Sequence, residues 1–178
     1  MADKGKMAFR FNSVQLNIVT FVDVRKAVYA CSTDNAVFMM DNSVNSLGQG
    51  TSRLQTCCKQ GHVLNWIIYA MDMDRRPDGS WPPMVCISNI VFLDEEGGDV
   101  SSIRVCEDLK IFGPPDKVRS EYTPVYYYWA GTVPIELPEG VYRYRLVLEL
   151  ENDKGQRPLY LNLDGPSLKV LEIGERIN

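Results

Sequence analysis

The most regular alternation in the chain runs from residue 141 to residue 151. Tyr142, Tyr144, Leu146, Leu148 and Leu150 fall on one side of an extended backbone; Val141, Arg143, Arg145, Val147, Glu149 and Glu151 fall on the other. A period of two is what a half-buried β-strand requires, because successive side chains leave the backbone on opposite faces. A helix would spread the same apolar residues around its circumference. Residues 15–23 (QLNIVTFVD) read differently, with β-branched and aromatic residues on both faces. A strand that is apolar on both sides belongs inside a sandwich or under a subunit contact.

Further β runs are expected at residues 36–40, 51–58, 63–71, 84–93, 100–106, 125–133, 157–162 and 167–173. In the run 63–71, Leu64, Trp66, Ile68 and Ala70 share one face. Residues 24–31 fit a short helix or turn, for which Asp23 is a suitable N-cap. Turns are signalled at Lys59-Gln60-Gly61, across residues 94–99 and, most strongly, at Asn152-Asp153-Lys154-Gly155. The segment 72–83 holds three prolines and a glycine, which exclude regular structure there. About nine or ten strands, turns roughly every ten residues and at most a short helix predict an all-β antiparallel sandwich or barrel. No internal repeat or linker interrupts the pattern. Residues 1–178 are therefore expected to form one domain, with residues 1–12 a loosely held leader.

Composition narrows the function classes. Hydrophobic residues at 45% and charged residues at 24% lie in the ordinary globular range. A net charge of −4, with the basic residues scattered, argues against nucleic acid as a partner, which needs a basic face. The first six residues are polar, so no secretory leader is expected. The longest apolar stretch, 63–71, contains Asn65 and is too short to span a bilayer, so no membrane partner is expected either. Five cysteines, an odd set without paired spacing, fit reduced thiols and a cytoplasmic location.

Candidate chemistry is sparse. The single histidine, His62, excludes a multi-histidine metal site and leaves one imidazole base. Its neighbours Cys57 and Cys58 suggest a thiol–imidazole pair, but a buried thiol and a turn-capping imidazole account for the same residues. Asp72, Asp74 and Asp78 resemble an acidic ion loop, interrupted by Arg75, Arg76 and Pro77. With Trp81 they could form a sugar-binding surface, a ring stacking on a pyranose while carboxylates take its hydroxyls. The densest aromatic cluster is Tyr126-Tyr127-Tyr128-Trp129, which places Tyr126 and Tyr128 on one face of a strand and Tyr127 and Trp129 on the other. Aromatics on both faces fit a core on one side and a subunit interface on the other. No phosphate loop, dinucleotide fingerprint or nucleophile elbow occurs, so catalytic residues, a cofactor and a bound metal are not expected.

One resemblance extends this picture. Met40-Asp41-Asn42, Gly48-Gln49-Gly50-Thr51, Leu54, Gly61 and Leu64-Asn65-Trp66 resemble the bacterial PixA/AidA inclusion-body protein family. The likeness continues through Ile18-Val19, Val22-Asp23, Tyr127-Tyr128-Trp129-Ala130-Gly131 and Gly140-Val141-Tyr142-Arg143-Tyr144, covers roughly residues 13–172 and is closer to the PixA branch. It implies a jelly-roll-like β-sandwich that self-associates and packs into crystalline cytoplasmic inclusions with a storage or host-association role; a homodimer is the expected unit of the homo-oligomer because two-fold symmetry is the commonest. The expected function is therefore non-enzymatic self-assembly, with Val19, Phe21, Tyr126 and Tyr128 as candidate contact residues. The alternative is a carbohydrate-binding module built on Asp72, Asp74, Asp78 and Trp81, with or without calcium.

Overall fold

In the computed structural model the two-faced segment near the start of the chain becomes β1 (Gln15–Val22), the second strand of a five-stranded sheet. The residues described are 15–71, 77–79, 84–113, 128–151 and 157–172. The first sheet runs in the order β2 (Val37–Asp41), β1, β4 (Val63–Ala70), β8 (Tyr128–Thr132), β7 (Glu107–Phe112). The second runs β3 (Gln55–Lys59), β11 (Ser167–Leu171), β9 (Gly140–Leu150), β5 (Val85–Leu93), β6 (Asp99–Val100), with β10 (Leu159–Leu163) also paired to β9. The architecture is the expected all-β sandwich. Its central strand β9 is long enough to hold β11 along residues 140–143 and β10 along residues 146–150 of one edge, with β5 on the other.

Both sheets are mixed. β1 pairs with β4 in parallel, as β3 does with β11, whereas turn spacing predicted antiparallel pairing throughout. The reason is geometric: tight turns join only antiparallel neighbours, and a parallel pair needs a long crossover that leaves no local mark in sequence. Between β1 and β4 the chain makes α1 (Val24–Ala30), β2 and β3 before returning. α1 starts where Asp23 accepts the Lys26 amide on Oδ1 at 3.0 Å, the cap expected from sequence. The expected strand over residues 100–106 is instead the two-residue β6 followed by α2 (Ser102–Val105), a second short helix, and the chain then forms β7.

Between the sheets, the alternation resolves as written. Tyr144, Leu146, Leu148 and Leu150 of β9 are fully buried, while Arg143 and Glu149 face away. Facing them, β1 contributes Ile18 and β4 contributes Leu64 and Trp66, all without exposure. The Trp66 ring meets Tyr144 edge-on, centroids 5.9 Å apart at 80°, the arrangement aromatic quadrupoles favour. Each such side chain, moved from water to this interior, contributes about 1.5–3 kcal/mol. Trp129 ties the layers together by donating its indole N–H to the Ile87 carbonyl at 2.8 Å.

Candidate functional site

The burial pattern of β1 places Leu16, Ile18, Thr20 and Val22 inward, so Asn17, Val19 and Phe21 face out from the first sheet. Register carries the same face across the neighbouring strands. Phe21 lies between Phe38 of β2 and Tyr69 of β4, and Val19 between Met40 and Ile67. Beyond Ile67 come Tyr128 of β8 and then Phe112 of β7. Two rows of apolar side chains therefore cross the sheet, one of three residues and one of five. Phe21 stacks on Tyr69 with centroids 5.8 Å apart, and Phe112 on Tyr128 at 5.6 Å and 15°. Lys110 holds its ammonium 5.3 Å from the Phe112 ring, covering the outer end of the longer row.

These rings and thioethers are accessible. Phe38, Met40, Tyr69, Phe112 and Tyr128 keep between 36% and 49% of their surface in contact with solvent. Five strands at ~4.8 Å spacing and eight residues at ~3.3 Å give a face of about 20 by 25 Å. That is the scale of one side of a standard protein interface, ~800 Å² once side-chain relief is counted. The outer face of the second sheet contrasts with it. There Arg143 donates to the carbonyls of Asp94 and Glu95 at 2.7 and 2.8 Å, and Arg145 forms ion pairs with Asp164 and Asp99. The outer side of the second sheet mixes these charges with exposed Val141 and Tyr160, whereas that of the first is mainly aromatic and aliphatic.

One polar feature crosses the apolar face. Asn42 accepts the Asn17 backbone N–H on Oδ1 at 2.9 Å and donates its own amide to the Gln15 carbonyl at 3.3 Å. Asn65 Nδ2 donates to Asn17 Oδ1 at 2.9 Å. Asn65 is only 7% exposed although it stands on the outer side of a strand. Asn17 thus links the two, its backbone N–H bonded to Asn42 just past β2 and its side chain to Asn65 of β4.

The sheet's edges are closed where its face is open. At the β2 edge, the 47–51 turn donates the Gly50 amide to the Met39 carbonyl at 2.7 Å and accepts the Met39 amide on the Thr51 carbonyl at 3.1 Å. The Gln49 side chain then takes the place of a strand. Its Oε1 accepts the Asp41 amide at 3.0 Å and its Nε2 donates to the Asp41 carbonyl at 3.4 Å. At the opposite edge β7 is charged and irregular: its register against β8 shifts between Glu107 and Lys110, and Asp108 takes a positive φ of 53°. Charges and bulges of this kind discourage edge-to-edge pairing.

The sequence-derived candidates now have places. Val19, Phe21 and Tyr128 come together on this face, joined by Phe38, Met40, Ile67, Tyr69 and Phe112, which the sequence reading did not single out. The available signal was the apolar character of both faces of residues 36–40 and 63–71. Tyr126 lies outside the described residues. So do Asp72, Asp74 and Trp81 of the acidic loop, where only Asp78 is described, exposed in a turn. The leader at residues 1–12 and the Asn152–Gly155 turn are likewise outside them.

The thiol–imidazole pair resolves into two structural roles. His62 Nδ1 accepts the Lys59 amide at 3.1 Å and closes the β3–β4 turn, so the ring proton sits on Nε2. Burial and the nearby Lys59 charge lower its pKa below the ordinary imidazole value. Cys58 is fully buried, and desolvation drives its thiol far above the ordinary range. The imidazole lone pair on Nδ1 is thus engaged by the Lys59 amide, and burial disfavours the Cys58 thiolate. None of the five cysteines is joined in a disulfide. Among the described residues no three His, Cys, Asp or Glu side chains converge as a metal site requires. No helix among them is long and apolar enough to cross a membrane.

The comparisons with known proteins bear on this geometry as follows. A family model described as a domain of unknown function, DUF8788, matches residues 14–156. No curated protein matches the sequence. Among solved structures, the crystal structure of an inclusion body protein, PixA, from Burkholderia cenocepacia J2315 superposes with a TM-score of 0.58. The match covers 90% of this chain and 95% of that one at 10% sequence identity. At that identity the likeness is one of fold, and a PixA-like fold is what it establishes of the expected PixA/AidA kinship.

Proposed function

The chain belongs to the DUF8788 family, and from that starting point we propose that it is a non-enzymatic, self-associating protein. Its apolar sheet face is the contact between copies, and dense association of the assembled units produces cytoplasmic inclusions. The observation that carries this reading is the continuous outer face of Val19, Phe21, Ile67, Tyr69, Tyr128 and Phe112 on a sheet with closed edges. An accessible apolar surface of this extent costs solvation energy unless something covers it. A second copy of the same face is the occupant that the pattern suits: it is broad and carries its one charge, Lys110, at the outer end of the longer row, so the middle of the face meets its copy without electrostatic penalty. The PixA-like fold supports the reading, since that structure is described as an inclusion body protein. The charged second face and the net charge of only −4 leave assembled units soluble but weakly repelled.

Sedimentation velocity on the purified chain and on Val19→Glu tests it. The expected result is a dimer or larger species for the wild type and a folded monomer for the variant, because each copy would bury an unpaired carboxylate. A wild type that remains monomeric at high micromolar concentration overturns the reading.

A further inference from the structure

We infer that the Asn42–Asn17–Asn65 amide chain fixes the register in which two copies meet, through hydrogen bonds between Asn17 of each copy and Asn65 of the other. This rests on the self-association reading above and adds to it the geometry of the contact.

Within the chain, Asn17 Oδ1 is taken by Asn65 Nδ2, and the Asn17 amide N–H by Asn42 Oδ1. That leaves Asn17 Nδ2 as a donor and Asn65 Oδ1 as an acceptor without a partner among the described residues, side by side on neighbouring strands. Asn17 stands half-buried in an otherwise apolar surface and Asn65, 7% exposed, lies at its floor, next to Val19 and Ile67 one step along the same face. Covering that surface with hydrocarbon would strand the donor and the acceptor, so an occupant must supply the complementary pair.

A second copy supplies it by symmetry. In a two-fold contact, if Asn17 of one copy meets Asn65 of the other, the reverse contact forms as well. A two-fold axis running parallel to the strands, midway between β1 and β4, sets Asn17 opposite Asn65 twice. Facing sheets pack about 10 Å apart, a separation that two short amide side chains span with a hydrogen bond between them. The same axis sets Val19 opposite Ile67 and Met40 opposite Tyr128, apolar against apolar. Any slide of one sheet over the other by a residue pair breaks both amide bonds and buries four polar atoms, while costing the apolar rows little. The apolar rows therefore supply adhesion and the amides supply register, as one buried Asn does at the seam of a coiled coil.

The test compares Asn65→Leu and the double variant Asn17→Leu/Asn65→Leu with the wild type by sedimentation velocity, with thermal melts to establish folding. For a single wild-type dimer, the single variant strands Asn17 Oδ1 and is expected to weaken association tenfold or more. The double variant is expected to associate as tightly as the wild type but to spread over several oligomers, since adhesion survives and register does not. A double variant that stays a single dimer of unchanged affinity overturns the amide assignment and leaves self-association standing. A monomeric wild type overturns self-association itself, and the amide assignment with it. If either Leu variant fails to fold, Asn65→Gln replaces it: its longer amide keeps the polarity but misplaces the bond, and a dimer weakened tenfold supports the register role while an unchanged one overturns it.

Discussion

Trp129 of the first sheet donates its indole N–H to the carbonyl of Ile87 in the second, 2.8 Å across the sandwich. The acceptor is available because β5 bulges at Ser88: the register against β9 passes from Ile87↔Leu148 directly to Asn89↔Val147. A bulge frees a carbonyl from the ladder, and the indole occupies it. Replacing Trp129 by Phe keeps most of the ring and leaves that buried carbonyl unpaired. The expected cost is about 1–3 kcal/mol, read as a lower urea midpoint at unchanged slope.

Tyr128, the preceding residue, points the other way and stacks on Phe112. Tyr128→Ser removes this ring from the outer face without disturbing the core. Folding stability is expected to fall by no more than about 1 kcal/mol. The dissociation constant of the assembled form is expected to rise about tenfold, which corresponds to about 1.4 kcal/mol. Sedimentation equilibrium measures the second quantity and thermal melting the first.

Gly131 supplies a steric test of the same strand. A Cβ placed there would come within 2.5 Å of Cys106 Sγ and 3.0 Å of the Glu107 carbonyl. The close approach lets β7 start against β8, so glycine is required by space and not by a special φ. Gly131→Ala is expected to destabilise by about 1–3 kcal/mol, as overpacked cores do, while Gly61→Ala, at a turn with open space around it, would be strained only through its φ of +78°. Denaturant titration of the two variants separates these causes.

Acid should loosen the β3–β4 turn. His62 has its pKa lowered in the fold by burial and by Lys59, so the unfolded chain binds a proton before the folded one does. The contribution to stability is complete above the ordinary imidazole pKa near 6.5 and is lost as pH falls from there through the folded value. His62→Asn, whose side-chain carbonyl can accept the Lys59 amide without titrating, should remove this portion of the pH dependence. Melts from pH 8 to pH 5 on both proteins measure the difference.

Thiol chemistry should divide the cysteines. Cys31 is exposed, whereas Cys57, Cys58 and Cys106 are buried. Burial, with Glu149 and Glu151 nearby, pushes the Cys86 thiol up to about 11; burial and Glu107 push Cys106 up to about 12. An aromatic disulfide reagent at neutral pH is therefore expected to label Cys31 quickly, Cys86 slowly and the rest only in denaturant. Rapid labelling of more than two thiols in the folded protein would contradict the packing around β3 and β8.

How far the sequence reaches is visible in particular strands. β9 was legible because it buries one face and the period of two survives to the surface; β4 was legible as a β-rich run that is apolar on both faces. Helix α1 was legible through its Asp23 cap. The segment 101–112 was not. A single helical turn is too short to show a period, and β7 is an edge strand with almost every residue exposed, so no apolar alternation is required of it. The parallel partnership of β1 with β4 was hidden for another reason: it depends on residues far apart in the chain. The same holds for the candidate site. Val19, Phe21 and Tyr128 could be suspected from two-sided apolar strands, whereas the alignment of Asn17 with Asn65 exists only once those strands lie side by side.

That parallel pairing sets a schedule for biosynthesis. A ribosome releases β1 early, with grease on both sides, and about forty residues must follow before β4 can lie along it. β8, which extends the apolar face to Tyr128, emerges later still. On the self-association reading proposed above, a nascent or truncated chain carries a sticky ribbon but no finished docking plane, and ordered assembly is expected only once translation has passed residue 132.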